Sequence, residues 1–410
     1  MQPDSVQGGV QRGALQGLIV LTLLNLLNYI DRQVLPAVVV SVQRSLDLSD
    51  AEAGMLGTGF VLVFIVMSPI FGILGDTRPR KKLIALGAFL WSVATMASGV
   101  ARGFWHLLAA RVCVGVGEAA YGTIAPSLLS DYYPANIRGR IFSYFYVALP
   151  LGAALGYWLG GLLNHHYDWR MAFYFTGAPG LILAAVALYI HEPERGAHDG
   201  AQAPGHSVTW AVYLTLMKNL PYAMTVAGYA AGTFAIGALG FWMPKFLYTV
   251  RGLPENEAPM IFGGILVVAG VIGSLLGGWV ADYGLRYSKQ SYLWMSGLST
   301  LMAVPFCMVA LTSANREVYL TAIFIAEILL FGSTGPINAM LVNLVPPSMR
   351  ASALAAATVS IHLFGDAPSP VIVGWLADHY TLAKAVLLVP AFVALSGLVW
   401  TATAWRLERR

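Results

Sequence analysis

Twelve apolar stretches, each close to the roughly 20 residues a helix needs to cross a bilayer, succeed one another along this 410-residue chain with short polar punctuation between them. They lie near residues 14–42, 52–75, 81–100, 104–130, 137–163, 169–191, 219–247, 257–281, 290–312, 317–345, 350–376 and 383–405. Because 57% of the residues are hydrophobic and only 11% charged, the composition is that of an integral membrane protein. The expected fold is all-α and multi-pass.

Charge placement orients the spans. Fifteen Lys and Arg residues fall on the side that carries both termini and seven on the other, while Arg32 and Arg111 remain inside spans. This positive-inside bias predicts cytoplasmic termini, and the first twelve residues lack a signal-peptide pattern. Basic loops that orient helices account for the net charge of +4, so nucleic acid is not an expected partner. Cys113 and Cys307 both fall inside predicted helices, without the spacing of a metal site or a disulfide framework, and read as small core residues. No cofactor is expected.

A charge at bilayer depth costs roughly 3 kcal/mol or more on insertion scales, so each one marks a candidate site. Asp31 and Arg32 stand in the first span, Arg111 and Glu118 in the fourth, Glu327 in the tenth, and His362 and Asp366 in the eleventh. Adjacent helical residues point about 100° apart, so Asp31 and Arg32 cannot neutralise each other and need partners on other helices. Arg111 and Glu118, seven apart, share a helix face but are separated by about 10.5 Å along the axis. A snorkelling anchor for Arg111 and a packing carboxyl for Glu118 are the simpler alternatives. His362 and Asp366 have i,i+4 spacing, and Pro368 and Pro370 just beyond them allow a broken helix.

A polar, Gly/Ala/Pro-rich stretch from His191 to about Ser207 divides the chain near its middle. It sets an N-terminal six-helix bundle (1–192), a cytoplasmic linker (193–218) and a C-terminal six-helix bundle (219–410). The same punctuation recurs on either side: Gly72 to Lys82 after the second span is echoed by Gly278 to Arg286 after the eighth, and Pro134 to Arg138 after the fourth by Pro346 to Arg350 after the tenth. Each of these charges alone reads as solvated loop charge; their recurrence in both halves points to a gate formed by Asp76, Arg80, Asp131, Arg138, Asp282 and Arg350.

A glycine, three residues, then Asp and nearby Arg between the second and third spans of each half resembles the major facilitator superfamily, along the whole chain. The resemblance implies two similar six-helix halves flanking a midplane site, an architecture for which this superfamily is a standard example. Thr77 and Pro79 depart from the usual motif, where a basic residue and a glycine are frequent. In that fold the first and fourth helices line the central cavity, which would gather Asp31, Arg32, Arg111 and Glu118.

Three runs resemble the spinster family of lipid transporters more specifically: Asn28 to Arg32, Gly115 to Pro126, and His362 to Pro370. The resemblance implies alternating-access transport of an amphipathic lipid, such as a lysophospholipid or a sphingosine-1-phosphate-like molecule. Proton coupling and substrate contact would fall to Asp31, Arg32, Arg111 and Glu118, with Tyr121, Glu327, His362 and Asp366 as further cavity residues. Compact size, short loops and short termini suggest a bacterial member, placed in the inner membrane, and the superfamily resemblance implies a monomer. The competing reading is a proton-coupled symporter or exporter of small organic anions or drugs; a receptor that binds without moving its ligand has no use for two latches. An enzyme is not expected, since the chain lacks His-Glu-x-x-His, a nucleophile elbow and a phosphate-binding loop.

Overall fold

The computed structural model describes residues 13–196, 210–345 and 349–409, with the side chains of a few helical residues, Arg138 and Arg350 among them, outside the description. Every described element is helical. This follows from the solvent: hydrocarbon offers no partner to backbone N–H and C=O, so a spanning segment must satisfy them internally.

In chain order the helices are α1 (Ala14–Leu46), α2 (Asp50–Thr77), α3 (Arg80–Gly99), α4 (Phe104–Tyr132), α5 (Ala135–Tyr146), α6 (Ala148–His166), α7 (Trp169–Ala187), α8 (Trp210–Lys218), α9 (Leu220–Thr249), α10 (Glu257–Gly284), α11 (Ser291–Thr312), α12 (Arg316–Asn343), α13 (Arg350–Ile361), α14 (Ser369–His379), α15 (Leu382–Ala385) and α16 (Leu388–Glu408). Among the described residues, eleven helical segments are long and apolar enough to cross a membrane. The twelfth span is the eleventh in order, and it is broken. A π-turn at His362–Asp366 separates α13 from α14, with Pro368 and Pro370 on its far side. The fifth span also divides, at Val147 between α5 and α6.

Within the first half, α3 packs on α4 and α7, and α1 on α6 and α7; within the second, α11 packs on α12 and α16, and α9 on α16. The halves meet through α2 against α14, α6 against α10, and α1 against α9. The first of these crossings is very close. A Cβ added at Gly54 would sit 2.4 Å from the Pro370 carbonyl oxygen, and one at Gly374 would sit 2.2 Å from that of Asp50. Close backbone approach of this kind is what small residues permit between membrane helices. Nearby, Thr58 donates to the Ala367 carbonyl at 2.6 Å and Tyr157 to that of Gly240 at 2.5 Å.

Among the described residues, the hydrogen bonds that cross between halves all lie in the half of the membrane away from the termini. The molecule is therefore sealed on that far face. Cys307 is buried as expected, but Cys113 is exposed, because its position on α4 lies on an open groove beside α3 and not in a closed helix contact.

The tight crossing yields a direct test. Gly54→Ala or Gly374→Ala forces α2 and α14 apart, so a cysteine placed at Thr58 in a Cys113→Ser background should react several-fold faster with a hydrophilic maleimide in detergent. An unchanged rate would show that the crossing does not hold the far face shut.

Candidate functional site

Between the halves lies a cavity of about 270 Å3. Tyr29, Arg32, Phe60 and Arg111 line it from the first half, and Thr233, Phe241, Glu327 and Asp366 from the second. Arg32, midway along α1, turns toward α4 and places its Nε 2.7 Å from Glu118 Oε2. The guanidinium is caged by aromatic faces, with the rings of Tyr29, Phe60 and Phe64 at 5.2, 5.3 and 5.0 Å. Arg111 stands 5.0 Å from the same Phe60 ring. One phenyl ring thus serves two cations. A desolvated cation–π contact contributes about 2 kcal/mol, and the arrangement keeps two like charges near one another without direct contact.

The two residues of the Asp31–Arg32 pair diverge, as neighbours on a helix must. Asp31 points away from the cavity into the seam with α3, where it accepts a hydrogen bond from Thr95 Oγ1, and its side chain is buried. Arg32 keeps 24% of its side chain accessible while Glu118 is wholly buried, so the ion pair has one face on the cavity and one in the protein. Several buried polar atoms here have no hydrogen-bond partner within the protein: Asp31 Oδ1, Glu118 Oε1, Asn28 Nδ2, and Arg111 Nε and Nη1. Each such group costs about 1–3 kcal/mol. They concentrate around the Arg32–Glu118 ion pair.

In the second half, Glu327 on α12 is buried at the cavity wall without an ion-pair partner among the described residues. Asp366, carried by the π-turn, lines the cavity and is held by His362 Nδ1 at 2.9 and 3.0 Å. His362 itself is not on the wall; it orients Asp366 from behind. Tyr121, expected at the cavity, is instead in the helix core. Its hydroxyl donates to the Leu21 carbonyl at 2.6 Å and its ring packs edge-on against Trp91. An aromatic side chain that satisfies its own hydroxyl on a neighbouring helix has no reason to face a cavity.

The expected gate residues separate into two kinds. Arg80 is buried and pairs with Asp131, and it also lies 3.5 Å from Glu192 and donates to the Pro193 carbonyl at 3.0 Å. Glu192 in addition accepts from the backbone N–H of Arg80 and Lys81, at 2.8 and 3.3 Å, capping the start of α3 where Pro79 cannot. These contacts all stay within the first half. Asp76 is exposed with no ion-pair partner among the described residues, and Asp282, also exposed, accepts from the Tyr292 hydroxyl at 2.9 Å. The side chains of Arg138 and Arg350 lie outside the described residues.

The polar contacts that bridge the halves are elsewhere. Lys245 on α9 pairs with Asp50 at the start of α2 and donates to Gln43 at 2.8 Å. Glu255 accepts from Ser41 at 2.5 Å, Arg44 at 3.2 Å and Asn164 at 3.3 Å. Asp378, at the end of α14, accepts the backbone N–H groups of Asp50 and Ala51 at 2.7 and 2.8 Å, so a carboxylate from one half caps a helix of the other. Sequence reasoning missed this set. Lys245 carries a signal, since it falls within the predicted span 219–247; Asp50, Glu255 and Asp378 sit at span ends and look like ordinary loop charge.

Twelve spans in two bundles around a charged cavity sealed on one face are the form of a membrane transporter. Residues 21–365 match the model of the Major Facilitator Superfamily. The chain is 31% identical to the sphingosine-1-phosphate transporter SPNS2 of Xenopus tropicalis, over 96% of this chain and 82% of that protein. It is 33% identical to protein spinster homolog 3 of Danio rerio, over 96% and 85%. The crystal structure of a bacterial homolog of the human lysosomal transporter Spinster, inward-facing and unoccupied, superposes with a TM-score of 0.88 at 22% identity, covering 98% of this chain and 99% of that one. The chain belongs to the spinster family of the major facilitator superfamily.

Two outcomes follow from the geometry. Asp131→Ala removes the nearest counter-charge of the buried Arg80 guanidinium and leaves it only the more distant Glu192 carboxylate and the Pro193 carbonyl, at a cost of about 1–3 kcal/mol, and should lower the thermal midpoint measured by a fluorescence melt; Asp76→Ala should leave it unchanged. Asp378→Ala removes two charge-assisted bonds at an exposed helix end, worth about 1.4 kcal/mol or a tenfold shift in equilibrium, and should open the far face, read by double electron–electron resonance between spin labels on α2 and α14.

Proposed function

We propose that this protein moves amphipathic lipids, lysophospholipids or sphingosine-1-phosphate-like molecules, across the membrane by proton-coupled alternating access. The observation that carries this reading is the two-sided chemistry of the cavity. Arg32 and Arg111 stand on the first-half side; Phe241, Phe262, Leu266 and Phe331 line the second-half side, with Glu327 and Asp366 among them. Guanidiniums suit a phosphate headgroup, and the apolar wall suits an acyl chain. The sphingosine-1-phosphate activity named for the Xenopus relative is consistent with it.

Coupling follows from competition for Arg32. A phosphate entering the cavity draws the guanidinium away from Glu118, whose carboxylate then stands in a dry site without its counter-charge and takes up a proton. Asp31, one residue away but facing α3, is the second acceptor, reached when the helices part. The charge bias of the loops supports a bacterial inner-membrane orientation with both termini cytoplasmic, in which the sealed face is the outer one and this conformation is inward-open. In this reading a monomer is the working unit.

The second reading, a small organic anion as substrate, is favoured by one feature: the Arg111 guanidinium, on the cavity wall, keeps Nε and Nη1 without a hydrogen-bond partner in the protein, donors that a carboxylate would satisfy. One experiment separates the two. In proteoliposomes with an imposed pH gradient, labelled lysophospholipid flux is compared in wild type, Asp31→Asn and Glu118→Gln, with soluble acids as competitors. Gradient-dependent lipid flux that falls at least about tenfold in either variant is expected, a loss of about 1.4 kcal/mol in barrier terms. Absence of lipid flux together with uptake of a soluble acid would transfer the assignment to the second reading.

A further inference from the structure

On the outer wall of the first half, away from the cavity between the bundles, α3 and α4 enclose a groove of about 610 Å3. Its floor is built from small side chains, Ala94 and Ala97 on α3 and Ala109 and Ala110 on α4. From Val100 to Leu90 the α3 side runs ten residues, about 15 Å, which is one leaflet of a hydrocarbon core about 30 Å thick. Both flanking helices are membrane spans, so the groove opens onto lipid. An occupant must be apolar along this length.

The ends of the groove differ. Toward mid-membrane the lining is apolar apart from the Cys113 thiol, whereas at the far-face end the two polar residues of the lining, Arg102 and His106, stand together. Arg102 is exposed and makes no ion pair or hydrogen bond among the described residues. The adjacent Gly103 gives α4 no side-chain cap, so the partial positive charge of that helix start adds to the same end. Trp105, in the same turn and 76% exposed, is an aromatic anchor of the kind that sits at headgroup level. That level fixes the depth of Arg102. On a face with few cations, an unpaired guanidinium at headgroup height above a chain-length apolar groove is complementary to one kind of molecule.

We propose that the α3/α4 groove is a binding site for a phospholipid of the surrounding bilayer with a net-anionic headgroup, its phosphate paired with Arg102 and one acyl chain lying over the alanine floor. The site is separate from the transport cavity and its occupant is a resident lipid, not cargo.

The test uses the full-length protein in detergent, supplied with equal amounts of phosphatidylglycerol and phosphatidylcholine and read by native mass spectrometry. Wild type should retain phosphatidylglycerol over phosphatidylcholine by about tenfold. Arg102→Ala should abolish that preference and Arg102→Lys largely restore it, and Ala97→Phe, which fills the groove while leaving Arg102 in place, should reduce retention of both lipids. Equal retention of the two lipids by wild type, or a preference that survives Arg102→Ala, would overturn the headgroup assignment; retention unaffected by Ala97→Phe would overturn the groove. A second measurement places the chain: a bimane label on Cys113, in the groove and exposed where Cys307 is buried, should be quenched more by brominated-chain phosphatidylglycerol than by brominated-chain phosphatidylcholine at equal mole fraction. Equal quenching would count against the proposal as well.

Discussion

Burying a guanidinium halfway through a bilayer is the constraint around which the first half is arranged. Arg32 can stand there because α4 delivers Glu118 at 2.7 Å, three aromatic faces flank the guanidinium and the rest of it opens on the cavity. Those requirements reach far along the chain. Glycines at positions 115 and 117 allow α4 to approach α2 and α3 closely, since a Cβ at Gly115 would lie 2.7 Å from the Phe60 carbonyl oxygen and one at Gly117 within 2.6 Å of the Gly87 carbonyl oxygen and the Trp91 backbone nitrogen. The small residues thus set where the ring of Phe60 and the carboxylate of Glu118 stand relative to one another. A buried pair of this kind is a weak source of stability, because desolvation consumes most of the Coulombic gain.

The two faces of the molecule use the same device to opposite ends. α2 and α3 begin on opposite sides of the membrane, and a remote carboxylate caps each beginning: Asp378 for α2 and Glu192 for α3. Glu192 belongs to the same half as its helix, so this contact persists however the halves move. Asp378 belongs to the other half and must be released whenever the far face opens. The helix dipole is therefore a fixed element on one face and a switchable one on the other. Lys245 with Asp50, and Glu255 with Ser41, Arg44 and Asn164, belong to the switchable class.

Much of this was legible in the chain. Span count and membrane class follow from apolar runs, because a bilayer imposes a length and a polarity on each segment, while the family was carried by the resemblance of a few motif runs. Rarity made Arg32 and Glu118 visible, and helical geometry alone required Asp31 and Arg32 to seek different partners. What could not be read were contacts that depend on which surfaces meet. The role of Asp378 exists only because α14 crosses α2 at Gly54, and the break at His362–Asp366 is a compromise between the prolines that follow and the packing of Gly365 against α9. Tyr121 and Cys113 failed as expectations for a shared reason. Sequence identifies a residue as membrane-embedded, but rotation about the helix axis decides whether it meets a cavity, a neighbour or lipid, and a helix as uniformly apolar as α4 carries almost no signal of that rotation.

That indifference of α4 has a structural origin. Three of its faces do different work: Arg111 and Glu118 face the charged site, Gly115 and Gly117 face neighbouring helices, and Ala109 and Cys113 face the bilayer. No face is polar enough to stand out as exposed, and none apolar enough to stand out as core. An amphipathic stripe arises when a helix separates water from protein; α4 separates a polar cavity from hydrocarbon, with tight backbone contacts on its flanks. The residues that distinguish its faces are therefore the rare ones, a guanidinium, a carboxylate and the glycines. In a helix placed at such a boundary, exceptions to the average composition carry the positional information that periodicity carries in a soluble protein.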